Sequence, residues 1–469
     1  MRMLHLKISL LSVFICVVYA KVRDSNEESL NIISAPNSSK SLKARNYKPI
    51  WNDLDTRPLP QWYDAAKIGI LVHWGVYSVP GLKSEWFWHY WQNGDKEIQE
   101  FMKNNYVNGF TYQEFAPGLT SELFDPDEWA ANFAKAGAKY VILTSKHHDG
   151  FSLFPSKRSF SWNAVDIGPK LDIVKSLGKS VKRAGMKYGV YYSLYEWYNP
   201  IYIDDKMTHF ETSAYTDNKM WPDIKQIIED YKPSILWSDG DWEASDAYWK
   251  SPELLAWLYN ESPVKDDIVV NDRWGNNTNC LHGDVYNCSN SNPKKLLEHK
   301  WENAFSLDKK SWGYRRNMKL CDVMSINEIL ENVVTTVSRG GNVLINVGPM
   351  KDGILEPIFQ ERLYQLGEWV EINGEAIYNT SPWFIQNDHY NRDVWYTCTK
   401  EEYNYINPVD IPRESDVVTA VYVIFLNWPA NNNLKVSNLV YHLQKGFYEI
   451  TFLNTVDFKN LRVSIFTTF

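Results

Sequence analysis

From residue 68 onward the chain alternates short, near-continuous apolar runs with longer stretches of helical spacing. Runs at 68–75, 140–144, 188–193, 234–239, 268–272, 298–302 and 342–347 are mostly rich in β-branched and aromatic residues and read as buried strands. Between them, 127–137, 172–183, 220–231, 252–259, 326–338 and 360–373 carry helical periodicity, with glycine stops at Gly137, Gly185 and Gly340. Strands apolar on both faces, separated by amphipathic helices, require a parallel sheet covered by helices. No Gly-x-Gly-x-x-Gly opens the first crossover, which speaks against a dinucleotide-binding doubly wound sheet. The number of units predicts a closed (β/α)8 TIM-like barrel over 49–383. Beyond it the helical pattern stops, and short runs at 418–426, 440–443, 447–452 and 461–466 predict a small antiparallel β domain over 384–469.

The start of the chain has another character. Residues 1–20 combine a basic flank, a short apolar run and a small-residue end, so a cleaved signal peptide is expected. Residues 21–48 are polar and aperiodic and read as a flexible leader. A signal changes how the cysteines are read. Cys16 falls inside it, which leaves Cys280, Cys288, Cys321 and Cys398 for an oxidising compartment. Cys280 and Cys288 are close enough to staple a loop, although other pairings stay open. Asn37, Asn260, Asn276, Asn287 and Asn379 stand in glycosylation acceptor patterns.

Charge narrows the partners. A net charge of −8 without basic clusters argues against nucleic acid and acidic membranes. The 21 Trp exceed what a core of this size needs, which makes a sugar-stacking site worth testing.

The chemistry gathers where strands give way to loops. His73, His147, His148, Tyr192, Asp239, Arg273, Glu302 and Asn346 all fall there, and a barrel brings such ends to one rim. Two carboxylates among histidines, an arginine and tryptophans suit glycoside hydrolysis, in which one carboxyl attacks or assists and the other protonates the leaving oxygen. Asp239 takes the first role. Glu302, beside Trp301 and raised by desolvation, takes the second. Trp86, Trp237 and Trp301 would wall the site. Neighbouring strand residues point to opposite faces and acids at metal-ligand spacing are missing, so neither a metal nor a cofactor is expected.

These residues carry a resemblance. The stretches 67–80, Ser84-Glu85-Trp86, 144–151, Trp237-Ser238-Asp239-Gly240, 271–275, Lys300-Trp301-Glu302 and 311–314 resemble the α-L-fucosidase family of retaining glycoside hydrolases. The resemblance implies a β-sandwich at 384–469, Asp239 as nucleophile and Glu302 as acid/base. It also implies a fucose pocket formed by His73, Glu85, Trp86, His147, His148, Tyr192, Trp237 and Arg273. Two positions depart from the family pattern, Ala304 for a cysteine and Asp149 for a glutamate. Because the acid/base position drifts between branches, Glu243 and Glu298 compete with Glu302. The implied activity is exo-hydrolysis of terminal α-linked L-fucose from glycans, in a secreted or lysosomal homo-oligomer. A fucose-binding lectin-like protein without turnover is the alternative, and a hydrolase of another sugar is a third reading.

Overall fold

The computed structural model describes residues 46–287, 292–293, 295–400, 418–427, 433–436 and 462–465. The expected signal peptide, most of the leader, and the runs 440–443 and 447–452 lie outside the described residues.

Seven parallel strands build the main sheet: β1 (Ile68–Val72), β2 (Tyr140–Lys146), β3 (Lys187–Ser193), β4 (Ile235–Asp239), β5 (Val269–Val270), β6 (Trp301–Ser306) and β7 (Gly341–Val347). Their order is β5-β4-β3-β2-β1-β7-β6, the rolled sheet of a TIM-like fold. Val285 and Tyr286 span the gap between β5 and β6. The Val285 N–H donates to the Val270 carbonyl at 3.2 Å, the Tyr286 N–H to Lys300 at 2.8 Å, and the Glu302 N–H to Tyr286 at 2.9 Å. The eighth stave of the expected barrel is therefore a two-residue bridge, parallel to both neighbours.

The covering helices follow the sequence signals closely. Pro126–Lys135, Ile173–Arg183 and Ile326–Ser338 begin at Asp125, Asp172 and Ser325, whose side chains accept first-turn amides. Trp221–Tyr231, Ser251–Asn260 and Pro357–Asn373 complete the set. Among the described residues no helix is long and apolar enough to cross a membrane.

Period-two alternation sorts each strand into two environments. Leu71, Tyr140, Ile142, Tyr191, Ile235, Trp237, Val285, Ala304 and Leu344 share a core inside the barrel. Ile70, Val141, Val190, Tyr192, Leu236 and Ile345 join the larger core under the helices. Gly69 is dictated by this interior, since a Cβ there would lie 2.1 Å from the Tyr140 ring.

One boundary differs from expectation in a way that matters later. The run 298–302 reads as a strand ending at Glu302, yet β6 begins at Trp301 and continues to Ser306. The half-polar sequence Glu302-Asn303-Ala304-Phe305-Ser306 hides the strand, because its inward positions are polar or small and, of its outward ones, Asn303 is polar and only Phe305 is a large apolar residue.

The C-terminal part begins inside the stretch assigned to the barrel. β8 (Ser381–Asn387), β9 (Val394–Lys400) and β10 (Val418–Phe425) form an antiparallel sheet in the order β10-β9-β8. β11 (Asn433–Val436) and β12 (Arg462–Ile465) pair in parallel. Trp383, Tyr396, Val421, Val423 and Phe425 give this part its own core.

Candidate active site

The C-terminal strand ends open into a cavity of about 250 Å³. That is below the roughly 300–1,000 Å³ of pockets for drug-sized ligands, and it suits a single sugar ring. Asp239, the last residue of β4, has a side chain only 15% exposed. Its Oδ2 accepts from the Tyr191 hydroxyl at 2.7 Å and its Oδ1 from the Arg273 guanidinium at 3.2 Å. Arg273 reaches back to Asn287, donating to its backbone oxygen at 3.3 Å and to its Oδ1 at 3.2 Å. Trp237, two residues before Asp239 on the same inward face, stacks on Tyr191 with ring centroids 5.5 Å apart.

The histidines are neutral hydrogen-bonding groups. Burial lowers His73 to about 4 and His148 to about 3, and drives His147 well below the usual imidazole range. Their tautomers follow from their partners. Ser193 Oγ donates to the Tyr195 carbonyl at 2.7 Å, so it must accept from His148 Nδ1, also at 2.7 Å. His148 Nε2 is then an acceptor 3.6 Å from Asp239 Oδ2. Asn346 Nδ2 donates to the Trp312 carbonyl at 2.7 Å, which turns its Oδ1 toward His73 Nδ1 at 3.1 Å. His73 thus also keeps Nε2 as an acceptor, and such groups suit sugar hydroxyls.

Glu85 is the other carboxyl on the cavity wall. Burial raises it, while the Gly313 and Trp312 amides, each at 3.0 Å, and Ser311 at 3.1 Å hold it in place. Trp86 lies 5.4 Å from His148 and nearly parallel to Trp242, which is 39% exposed at the lip.

The cavity therefore collects His73, Glu85, Trp86, His147, His148, Trp237, Asp239 and Arg273 as expected from the sequence. Tyr192 is a correction. It faces the helices, its hydroxyl donates to Asp223 at 3.2 Å, and Lys146 Nζ sits 4.3 Å over its ring. Tyr191 takes the wall position, as inward spacing from Gly189 could have shown. Trp242 and Trp312 complete the lining; both lie in stretches noted for other reasons. Trp301 turns outward to donate to Arg339 at 3.0 Å.

Glu302 is the larger correction. It enters from the beginning of β6, about 13 Å below Ser306 along the strand. Glu302 is not among the described residues that line the cavity. Its Oε2 accepts from Tyr63 at 2.6 Å and Tyr140 at 2.9 Å; its Oε1 accepts from Trp237 at 3.0 Å and Asn287 at 3.4 Å. Burial raises its pKa as desolvation predicts, but away from the cavity lining. Neither competitor replaces it on the wall. Glu243 is bound by Tyr202 and Lys206, and Glu298 is exposed elsewhere.

The acceptor asparagines divide in the same way. Asn276 and Asn379 are exposed, whereas Asn287 is buried, with its amide on Glu302 and Arg273, and is closed to a glycan in this fold. Cys321 is an exposed free thiol, Cys398 is buried with its Sγ 3.6 Å from the Ser381 carbonyl, and Cys288 lies outside the described residues.

Asp241 is fully buried behind Asp239. Burial, with the Asp239 charge adding to it, raises its pKa to about 7. Its Oδ2 accepts from Gly275 and Asn279, while Oδ1 has no partner among the described residues and is the place for a proton. An acid raised in the folded state adds stability below its unfolded value, and that stability is lost as pH rises through the folded one. In Asp241→Asn this term is absent. The wild type should therefore lose Tm relative to the variant from about pH 4 to about pH 7. A Tm difference that stays flat over that range would show that Asp241 is ionised throughout.

Comparison with known proteins gives a consistent answer. A family model described as Alpha-L-fucosidase matches residues 34–375, and one described as Alpha-L-fucosidase C-terminal domain matches 386–464. The tissue alpha-L-fucosidase of Rattus norvegicus is 49% identical over 85% of this chain and 83% of its own. The plasma alpha-L-fucosidase of the same organism is 48% identical over 84% and 83%. The structure of Thermotoga maritima alpha-fucosidase in complex with fucose is similar with a TM-score of 0.66 and 34% identity, covering 82% of this chain and 87% of that one. With one model spanning the barrel and relatives near half identical across most of both chains, this protein belongs to the alpha-L-fucosidase family.

Proposed function

We propose that the cavity binds one terminal α-linked L-fucose of a glycan and hydrolyses it with net retention, Asp239 attacking the anomeric carbon. The observation that carries this reading is Asp239 itself, a carboxylate at the base of a one-ring cavity, aimed by Tyr191 and Arg273. The attack forms a fucosyl ester and expels the aglycone oxygen, which takes a proton; water then cleaves the ester. The neutral histidines and Glu85 hold the sugar hydroxyls, and Trp86 and Trp237 cover its apolar face. The small cavity supports exo action. Residues 1–20 as a signal, a secreted or lysosomal destination, a Cys280–Cys288 staple and a homo-oligomer belong to the same reading, and the tissue and plasma relatives fit that destination.

The test is release of an aryl group from an α-L-fucoside, with the first-formed anomer of fucose followed by NMR. Early α-fucose is the expected product. Early β-fucose would replace retention by inversion, and fucose binding without release would favour the lectin-like alternative.

A further inference from the structure

Glu302 is a buried carboxylate that the chemistry at the cavity does not reach, yet it is the most heavily liganded one near it. A carboxylate offers about four lone-pair directions. Here four donors occupy them: the Tyr63 and Tyr140 hydroxyls, the Trp237 indole and the Asn287 amide. No direction is left for an O–H aimed at a departing oxygen, and it is Trp237, bonded to Glu302, that lines the cavity.

Two of those donors lead to the nucleophile. Trp237 is tethered through its Nε1 to Glu302 at 3.0 Å, and its face supports Tyr191, which donates to Asp239 Oδ2. Asn287 donates to Glu302 through Nδ2 and accepts from Arg273 through Oδ1, and Arg273 donates to Asp239 Oδ1. Asn287 is itself fixed, because its backbone N–H donates to Asp272 at 2.9 Å and its Nδ2 also reaches the Glu302 carbonyl at 3.3 Å. Each oxygen of Asp239 is thus reached by a short chain of contacts that starts at one carboxylate.

We propose that Glu302 is a positioning residue, which orients Asp239 from beneath the cavity through Trp237–Tyr191 on one side and Asn287–Arg273 on the other. This deepens the fucosidase reading and rests on Asp239 being the nucleophile. The remaining two ligands, Tyr63 and Tyr140, anchor Glu302 to the barrel floor, so the device is referenced to the rigid part of the fold.

The experiment is Glu302→Gln, a near-isosteric change that reverses one set of hydrogen bonds. The variant is compared with wild type on a dinitrophenyl α-L-fucoside and on a fucosylated disaccharide. Misplacing a nucleophile slows bond formation whatever leaves, so kcat/KM should fall by a similar factor on both, on the order of 10- to 100-fold. The basic limb of the pH profile should stay where it is. Three results would overturn the proposal. One is a loss confined to the disaccharide with disappearance of the basic limb. Another is rescue by azide to give the α-fucosyl azide, the sign of a missing acid/base. The third is a lower Tm with unchanged kcat/KM per active site, which marks a purely structural role. Should Glu302→Gln fail to fold, Asn287→Ala cuts the Arg273 arm with Glu302 intact. Equal losses there support the proposal and unchanged kinetics overturn it. Wild-type turnover of both substrates, measured first, tests the fucosidase reading separately; without turnover, the variant's fucose affinity by calorimetry becomes the readout, with weaker binding expected and unchanged binding overturning the proposal.

Discussion

Asp239→Gly is expected to lower turnover of an aryl α-L-fucoside by at least about 10⁴-fold, the scale on which loss of a nucleophile is felt. The substitution removes the one carboxylate held by both Tyr191 and Arg273, while the walls around it stay in place. It also opens a space where an external anion can sit against the anomeric carbon, with Arg273 still present to attract it. Azide should therefore restore activity on a substrate with a good leaving group, and the product should be β-fucosyl azide, because a single displacement inverts. Near-normal turnover in this variant would falsify the assignment of Asp239. An α-fucosyl azide would instead make the missing group an acid/base. The inverted product separates the nucleophile from every other carboxyl near the cavity, including Asp241 and Glu85.

The largest expected effect on stability lies at the other end of the barrel. Asp64 is buried, both of its oxygens lie 2.9 Å from Lys67 Nζ, and one of them also receives Lys300 Nζ. Lys300 is fully buried, and desolvation lowers its pKa to about 7 despite the Asp64 charge. Asp64→Ala leaves two buried lysine head groups without the carboxylate that held both. Breaking such a cluster from one side costs about 3–5 kcal/mol, because the compensating carboxylate is gone and only the Gly340 carbonyl, at 2.9 Å, still accepts from Lys300. The pH dependence has a definite sign. Without Asp64 the Lys300 pKa falls further, and a cation depressed in the folded state loses stability as pH falls. The deficit of Asp64→Ala against wild type in denaturant midpoint should therefore grow as pH falls through the neutral range and shrink toward alkaline pH. A deficit below about 1 kcal/mol at neutral pH would mean that the cluster contributes little.

Most of the barrel was legible because its strands are buried on both faces and its helices carry clear caps. His73, His147, Asp239 and Arg273 could be placed for the same reason, since each follows or ends an unmistakable apolar run. Tyr192 was misplaced because Tyr191 and Tyr192 are equally apolar and both fully buried, so hydrophobicity alone could not tell the interior from the helix side. Inward parity from Gly189 does tell them apart. Glu302 was misread for a different reason. β6 is the least apolar of the longer barrel strands, so the sequence around Glu302 reads as its end when it is its beginning. The Asn287 contact had no sequence signal other than an acceptor tripeptide that pointed to the opposite surroundings. The short bridge at Val285 and Tyr286 could not be foreseen either, since two residues cannot show a period.

That bridge makes the barrel a hoop with a clasp. Most adjoining staves are zipped along four or more residues, but from β5, two residues long, through Val285 and Tyr286 the circumference is held by a few backbone hydrogen bonds. Local opening is cheapest where the fewest bonds must be broken together. Asn287 is the next residue after the clasp, and it steadies Arg273 against Asp239. A weak link of the scaffold is therefore in series with the aim of the proposed nucleophile, so a slackened hoop should lose that alignment while most of its wall still stands.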